Sequence, residues 1–286
     1  MLAAYLILLS LTVIWGFTFP LVQAALRTAS PLVFVALRFA LAATLFPLLV
    51  WPRAFRLNRN LIGKGAVLGF FLCGGYAFQT FGLSLTTAAR SGFITGTLVP
   101  MTPLFAWLLF RTRISLPQLV AVLLAFAGTA VMSQPSAGGF GLGDFLTLIC
   151  AACFALHVVF VGRWAKPEND MQLTWLQIAA TAVLAGAVTP LSAPRLAFSP
   201  LLIVGLSVAA VLATTFGIWA QMRYQPRVSA TAAAIIYAME PVFAGIAAWI
   251  ILGSVPGTAT LAGAGLIFCG MLLSAATPSL TKPELP

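Results

Sequence analysis

The chain has 286 residues, of which 61% are hydrophobic and only 7% are charged, with 15 Lys and Arg against 5 Asp and Glu. Soluble domains usually have about 25% charged residues, so the composition excludes a soluble globular protein, and a mean hydropathy of +1.06 excludes a disordered one. The net charge of +10 does not indicate nucleic-acid binding, because the basic residues separate apolar runs instead of sharing one polar face.

The apolar runs predict ten membrane-spanning helices, since about 20 apolar residues are needed to cross the hydrocarbon layer. In chain order the predicted spans are 3–26, 32–51, 62–85, 90–110, 116–133, 143–163, 172–190, 200–222, 228–252 and 257–277. The first span has no preceding basic segment of the kind that begins a signal peptide. Turn residues at 134–139 and 253–257 divide two longer charge-free stretches. We therefore expect an all-α integral membrane protein.

The basic residues of the loops predict the orientation of these spans. Ten spans place both termini on one side, where eleven loop cations fall, against three (Arg27, Arg90 and Arg195) on the other. The larger group consists of Arg53, Arg56, Arg59, Lys64, Arg111, Arg113, Arg163, Lys166, Arg223, Arg227 and Lys282. Because cytoplasmic loops are rich in Lys and Arg, we expect both termini in the cytoplasm.

An internal repeat relates the two halves of the chain. A shift of 138 residues places 91–106 on 229–244, with a shared Met-x-Pro-x-Phe-Ala core at 101–106 and 239–244. A shift of 142 residues then matches 124–128 with 266–270. Since a unit of five spans is odd in number, the second half (136–286) should be inverted relative to the first (1–135). Inverted repeats are typical of transporters whose binding site lies near the membrane midplane.

Three short motifs resemble those of the EamA group of the drug/metabolite transporter superfamily. They are Ile14-Trp-Gly-Phe-Thr-Phe-Pro20, Ala36-Leu-Arg-Phe-Ala40 and Met239-Glu-Pro-Val-Phe-Ala244. The likeness covers essentially the whole chain. It implies ten helices in two inverted five-helix repeats, and export of small metabolites, often amino acids, from the bacterial inner membrane. Within the group, the chain looks most similar to the YddG-like aromatic amino-acid exporters.

Two charged side chains are expected inside the membrane, Arg38 in the second span and Glu240 in the ninth. A charge at that depth costs about 2.5–3.5 kcal/mol on insertion scales, so its presence favours a functional use. Arg38 could bind a substrate carboxylate, and Glu240 could carry a proton or bind substrate. The alternative is that each side chain is a packing anchor at a helix break.

Prolines within the first, fourth and ninth spans predict carbonyl groups without a helical partner, because proline has no N–H to donate. Pro20, Pro100, Pro103 and Pro241 would free the carbonyls of Gly16, Gly96, Val99 and Tyr237. Such carbonyls could bind a substrate ammonium group. Alternatively, the prolines only bend the helices.

The remaining candidate substrate-binding residues are aromatic or neutral polar side chains within the spans. They are Trp15, Thr18, Tyr76, Gln79, Thr95, His157, Trp219 and Tyr237. Polar contacts between helices are the competing explanation, especially for threonine. His157 is the only histidine and lacks the partners of a metal site or a catalytic triad, so we expect no metal, cofactor or catalytic residue.

Together these features predict an inner-membrane exporter of small amphipathic metabolites, above all aromatic or hydrophobic amino acids, with alternating access to a central site. A broad exporter of drugs or hydrophobic cations is the alternative within transport. A membrane-embedded enzyme is disfavoured because the buried titratable groups are few. The expected partners are the small-molecule substrate and the lipid bilayer. A monomer is expected and a homodimer stays open, because the pairs Gly65/Gly69 and Gly92/Gly96 favour packing inside the protein.

Overall fold

The computed structural model describes residues 2–49, 57–86, 88–133, 139–253 and 255–277, and within them it is helical, without a β-strand. The helices are α1 (Leu2–Ala25), α2 (Pro31–Leu49), α3 (Arg59–Leu85), α4 (Ala88–Gly96), α5 (Leu98–Phe110), α6 (Leu116–Ser133), α7 (Leu142–Trp164), α8 (Asp170–Val188), α9 (Pro200–Val208), α10 (Gly217–Tyr224), α11 (Ala230–Tyr237), α12 (Glu240–Leu252) and α13 (Thr258–Ala276). In the described part of the chain they form ten segments long and apolar enough to cross a membrane. The predicted fold class is therefore confirmed.

Some sequence predictions lie outside the described residues. These are the loop cations Arg53, Arg56 and Lys282, the side chain of Arg90, most of the turn at 134–139 and the boundary between the predicted halves.

Two of the spans are each made of two short helices. A turn at Thr97 separates α4 from α5, and a turn at 238–239 separates α11 from α12. Each break is followed by a proline: Pro100 cannot donate to the Gly96 carbonyl, and Pro241 cannot donate to that of Tyr237. By contrast, α1 continues through Pro20. The breaks place backbone polar groups near the middle of each span.

The eighth span changes its winding instead of breaking. A π-helical segment over 209–216 connects α9 to α10, and a short 3-10 turn over 225–227 follows α10. A π segment adds a residue to each turn and so redirects the side chains that follow it. The sequence 209–216 contains no Gly or Pro, and the sequence analysis did not predict this segment.

Glycines allow several helix pairs to pack closely. A Cβ atom at Gly16 of α1 would lie 2.7 Å from the Ala244 amide of α12, and one at Gly128 of α6 would lie 2.6 Å from the Gly263 carbonyl of α13. Gly65 and Gly69 of α3 lie similarly close to Leu176 and Ala180 of α8. Such contacts bring helix backbones together and fix the positions of the side chains between them.

The two ends of the helix bundle differ. At one end the loop between α1 and α2 pairs with the loop before α9, where the Ser30 amide donates to the Arg195 carbonyl (2.8 Å) and the Ala197 amide donates to the Thr28 carbonyl (2.8 Å). At the other end Arg223 forms a salt bridge of 3.0 Å with Asp170 at the start of α8. The candidate site lies between these ends.

Candidate substrate-binding site

Arg38 is a buried cation near the middle of α2. Its Nε donates to Thr214 Oγ1 over 2.6 Å, and its Nη2 lies 3.4 Å from the Tyr76 hydroxyl. The Thr214 hydroxyl in turn donates to the Ala209 carbonyl over 2.9 Å, which leaves its lone pairs to accept from the guanidinium. The π-helical segment thus supplies the acceptor that holds Arg38 in place.

Aromatic rings surround the same guanidinium. The Arg38 Cζ lies 5.1 Å from the centroid of the Tyr76 ring and 5.6 Å from that of Phe39. Tyr76 also packs at 5.5 Å against Phe154 of α7, edge to face. Ring faces stabilise a cation electrostatically, most strongly where water is excluded. Of the five N–H groups of Arg38, two have hydrogen-bond partners among the described residues.

A second aromatic pair, Trp15 of α1 and Tyr237 of α11, has ring centroids 5.5 Å apart. Trp15 Nε1 donates to the Ala213 carbonyl over 2.9 Å. Ala213 and Thr214 are adjacent in the π-helical segment. This segment therefore joins the Trp15/Tyr237 pair to the Arg38 cluster, which consists of Arg38, Phe39, Tyr76 and Thr214. Sequence analysis proposed Trp15, Arg38, Tyr76 and Tyr237 separately, and the structure brings them around one element.

A glutamine network holds Tyr237. Gln225 Oε1 accepts from the Tyr237 hydroxyl (3.1 Å) and from Gln221 Nε2 (3.0 Å), while Gln225 Nε2 donates to the Val158 carbonyl (2.7 Å). Gln225 is completely buried. The sequence analysis missed Gln225, because it lies next to Pro226 in what reads as a loop.

Glu240 is the first residue of α12, directly after the break in the ninth span. It is half-buried, and Arg38 is a positive charge within electrostatic range of its carboxylate. The two groups do not form a salt bridge with each other, in contrast to Arg223 and Asp170, whose charged atoms lie 3.0 Å apart. The amide dipoles at the start of α12 favour a negative charge at this position. The two opposite charges therefore influence each other without direct contact.

The other predicted residues are placed differently. Thr18 Oγ1 donates to the Trp15 carbonyl within α1, so this hydroxyl is occupied by its own helix. Gln79 is half-buried and lies three residues after Tyr76 on α3. The Thr95 hydroxyl is buried beside the Cys150 thiol.

His157 belongs to a contact between α7 and α8. Its Nε2 lies 2.7 Å from Gln177 Oε1, and both side chains are buried. No contact recorded among the described residues joins His157 to the Arg38 cluster. Sequence analysis did not predict the pairing with Gln177, since helical periodicity does not show which helices are neighbours.

Trp219 lies on α10, with its ring 5.9 Å from Phe216 and 6.5 Å from Tyr224. Its Nε1 is buried and has no hydrogen-bond partner within the described residues. Trp219 also lines a cavity of about 310 Å³, together with Asp170 and Arg223. This cavity extends from Trp219 to the end of the bundle where the salt bridge lies.

The sequence profile of the EamA-like transporter family matches residues 2–134 and 141–276. The chain belongs to this family. An uncharacterized transporter of Archaeoglobus fulgidus is 30% identical to this EamA-family chain over 260 residues, which are 91% of the chain and 82% of that protein. A second uncharacterized transporter of the same organism is 26% identical over 272 residues, 93% of this chain and 97% of that protein.

Two further comparisons extend the likeness. The uncharacterized transporter YvbV of Bacillus subtilis is 28% identical over 187 residues, which are 62% of this EamA-family chain and 60% of YvbV. A protein of known crystal structure superposes with a TM-score of 0.77 at 21% identity, over 95% of this chain and 96% of the other. That structure shows the shared fold. The EamA-family chain is therefore a multi-pass membrane protein of a transporter family.

Proposed function

We propose that this EamA-family protein exports small amphipathic metabolites, above all aromatic or hydrophobic amino acids, by alternating access to a central site. The observation that carries the proposal is the environment of Arg38. This buried cation has neutral hydroxyl groups, those of Thr214 and Tyr76, as its hydrogen-bond partners among the described residues. A buried cation that has no carboxylate as a direct partner is suited to bind the anionic group of a substrate reversibly.

A carboxylate is the anion that fits this position. The guanidinium group presents N–H donors in a planar fork that matches the two oxygens of a carboxylate. The Nε of Arg38 donates to the Thr214 hydroxyl, and its Nη2 makes a longer hydrogen bond, of 3.4 Å, to the Tyr76 hydroxyl. The remaining donors are therefore available to a substrate, and the rings of Tyr76 and Phe39 restrict the direction from which it approaches.

The ammonium group of an amino acid would bind at the break between α11 and α12. Pro241 leaves the Tyr237 carbonyl without its usual helical donor, and the Glu240 carboxylate lies at the same break. Discontinuous helices provide such groups to substrates in other transporter folds. A zwitterion placed between Arg38 and Glu240 would satisfy both charges.

The substrate side chain would pack against the nearby rings of Trp15, Tyr76 and Tyr237. Trp15 and Tyr237 are each fixed by a hydrogen bond at the polar edge, to Ala213 and Gln225, so their apolar faces are held in position. Fixed ring faces favour aromatic and branched apolar side chains. This preference is the basis for proposing a specificity of the YddG-like type.

Alternating access would arise from movement of two inverted halves, 1–135 and 136–286. The contact between α6 and α13 supports this organisation. Gly128 of α6 packs on the Gly263 carbonyl, and Gly270 of α13 packs on the Ala121 carbonyl. The 142-residue shift of the internal repeat converts the first contact into the second. The family profile also matches the chain twice, once within each half.

The proposed location is the bacterial inner membrane, with both termini in the cytoplasm. The support is the excess of loop cations on the side that contains Lys64, Arg163 and Arg223. The cavity beside Trp219 opens at that end and would admit substrate from the cytoplasm. A monomer is the proposed state, because Gly65, Gly69 and Gly96 contact helices of the same chain.

The test is efflux of labelled amino acids from preloaded proteoliposomes. Phenylalanine should leave faster than glycine, and Arg38→Gln should abolish phenylalanine efflux without loss of folded protein. Arg113→Gln, which removes an exposed cation outside the site, is the matched control and should behave like wild type. Equal efflux by wild type and Arg38→Gln would refute the proposal.

Export of hydrophobic cations is the second candidate, and Glu240 is the observation that favours it. This half-buried carboxylate forms no salt bridge with the cations that the structure describes, and it lies three residues after Tyr237, whose ring packs on that of Trp15. A cationic substrate would need Glu240 and would be repelled by Arg38. Efflux of a lipophilic cation that is lost in Glu240→Gln, and kept or increased in Arg38→Gln, would select this function over amino-acid export.

A further inference from the structure

A basic cavity of about 620 Å³ lies at one end of the bundle, next to the smaller cavity beside Trp219. It is formed by the start of α3, the end of α7, the connecting loop and the start of α8. Its lining residues are Asn58, Asn60, Leu61, Lys64, Arg163, Trp164, Lys166, Glu168, Asn169 and Gln172. Among them three side chains are cationic and one is anionic. The cavity therefore favours a negatively charged ligand.

Two helix termini strengthen this preference. Asn58 caps α3 by accepting from the Leu61 amide over 2.8 Å, and Asn169 is the residue before α8. Both helices therefore begin at the cavity, where their dipoles add positive potential to that of Lys64, Arg163 and Lys166. A phosphate group is the anion that such a combination of helix termini, cations and amide side chains binds best.

The frame of the cavity is held by hydrogen bonds. Asn169 Oδ1 accepts from the Lys166 amide over 2.8 Å, and Asn169 Nδ2 donates to the Trp164 carbonyl over 3.1 Å. These bonds fix the loop that carries Lys166 relative to the end of α7. Lys64 and Lys166 are both half-buried and line the cavity.

An aromatic surface lies directly below the cations. Trp164 stacks on Phe160 at 4.4 Å, Phe160 stacks on Phe71 of α3 at 5.6 Å, and Phe110 of α5 meets Phe160 edge to face at 6.1 Å. These four rings are only partly buried. A ligand with a phosphate head and an apolar tail would contact both regions at once, since tryptophan typically marks the headgroup level of a bilayer.

From this arrangement we propose that the cavity binds the phosphate of an anionic phospholipid, with the acyl chain against the rings of Phe71, Phe110 and Phe160. The side that carries most of the loop cations is where anionic headgroups are recognised by basic pockets between helices. The site is independent of the proposed transport substrate. A soluble phosphate compound would share the headgroup chemistry, and the experiment separates the two sources.

The experiment is native mass spectrometry of the purified full chain with phosphatidylglycerol, phosphatidylcholine or inorganic phosphate. Wild type should retain phosphatidylglycerol in preference to phosphatidylcholine. Removing a juxtamembrane cation costs about fivefold in affinity for an anionic lipid, so Lys64→Gln and Lys166→Gln should each weaken retention by about that factor. Arg113→Gln, an exposed cation outside the cavity, is the matched control and should retain the lipid like wild type.

Lys64→Arg and Lys166→Arg preserve the charge and should retain phosphatidylglycerol, which distinguishes ligand binding from a structural effect of the lysines. Displacement of the lipid by millimolar inorganic phosphate would assign the site to a soluble phosphate compound. Equal retention of the two lipids, or unchanged retention by the Lys64→Gln/Lys166→Gln double variant, would overturn the proposal.

Discussion

Arg38 and Thr214 lie 176 residues apart in the chain, yet Arg38 Nε donates to Thr214 Oγ1 over 2.6 Å. The Thr214 hydroxyl can accept because its own hydrogen goes to the Ala209 carbonyl, an acceptor five residues earlier that the π-helical segment brings within 2.9 Å. Hydrogen bonds therefore link Arg38 of α2, through Thr214, to the Ala209 carbonyl of the eighth span, and they depend on the π-helical geometry there. The position of that charge depends on both halves of the protein.

Replacing Thr214 with valine should weaken transport of carboxylate substrates. Valine has the same shape but cannot accept a hydrogen bond, and a bond to a charged group is worth about 1.5–3 kcal/mol, or roughly tenfold to a hundredfold in affinity. Thr214→Ser should keep most of the activity. The measurement is the concentration dependence of phenylalanine export in proteoliposomes. The control is Thr12→Val, at a buried threonine that bonds to its own helix; an equal loss in both valine variants would contradict the specific role of Thr214.

Glu240→Gln should weaken export of zwitterionic amino acids far more than export of a carboxylate without an amino group. The carboxylate of Glu240 is expected to bind the ammonium, and glutamine keeps the shape but removes the charge. Phenylalanine should lose about tenfold or more in apparent affinity, in the range of charged hydrogen bonds, whereas 3-phenylpropionate should be unaffected. Arg113→Gln, which removes an exposed charge outside both cavities, serves as the control. If the two substrates decline in parallel, Glu240 does not recognise the ammonium group.

Aromatic substitutions should change selectivity among amino acids. An aromatic contact contributes about 0.5–1.5 kcal/mol beyond burial, up to about tenfold, so Trp15→Ala, Tyr76→Ala and Tyr237→Ala should each lower the ratio of phenylalanine to alanine export. Gln79→Ala should weaken all amino acids alike. Competition assays with paired labelled substrates give the ratio directly. Trp107→Ala removes a ring that is 48% exposed on the surface and should leave the ratio unchanged; a similar shift in that variant would argue against a local effect.

Gly263→Ala should destabilise the contact between α6 and α13. The added Cβ would lie 2.5 Å from the Gly128 carbonyl, and overpacking of this kind costs about 1–3 kcal/mol. Gly265→Ala, on the same helix, meets nothing within 4 Å and should be neutral or slightly stabilising, because alanine favours helix. Thermal unfolding in detergent distinguishes them. Unfolding temperatures that fall equally, or not at all, would mean that this helix pair is looser than described.

Impermeant thiol reagents should report the orientation of the spans. In a variant without the four native cysteines, Val255→Cys should be labelled from outside intact cells, since residue 255 is 78% exposed in the loop opposite the basic side. Glu168→Cys, in the loop between α7 and α8, should be labelled only after the membrane is permeabilised. The reverse pattern would place both termini outside.

Composition and patterning determined the fold class. Charge-free runs of about 20 residues must form helices in a membrane, because lipid offers no partner for backbone polar groups. The profile match and the ten described spans bear out the family and the fold. Arg38 and Glu240 could be selected from sequence because a charge inside an apolar run is costly in lipid. Proline chemistry marked the spans that break near Thr97 and 238–239, but it did not distinguish Pro100 and Pro241 from Pro20 and Pro103, which lie in helices that continue.

Only the tertiary structure decided which of these residues meet. The π-helical segment at 209–216 contains no proline or glycine from which it could be predicted. It nevertheless supplies hydrogen-bond acceptors for both Arg38 and Trp15. His157 could not be assigned to Gln177, nor Tyr237 to Gln225, because periodicity defines the face of a helix but not its neighbour. Glycines bring other helix pairs, such as α6 and α13, into close backbone contact, a property of helix pairs that a single helix does not reveal.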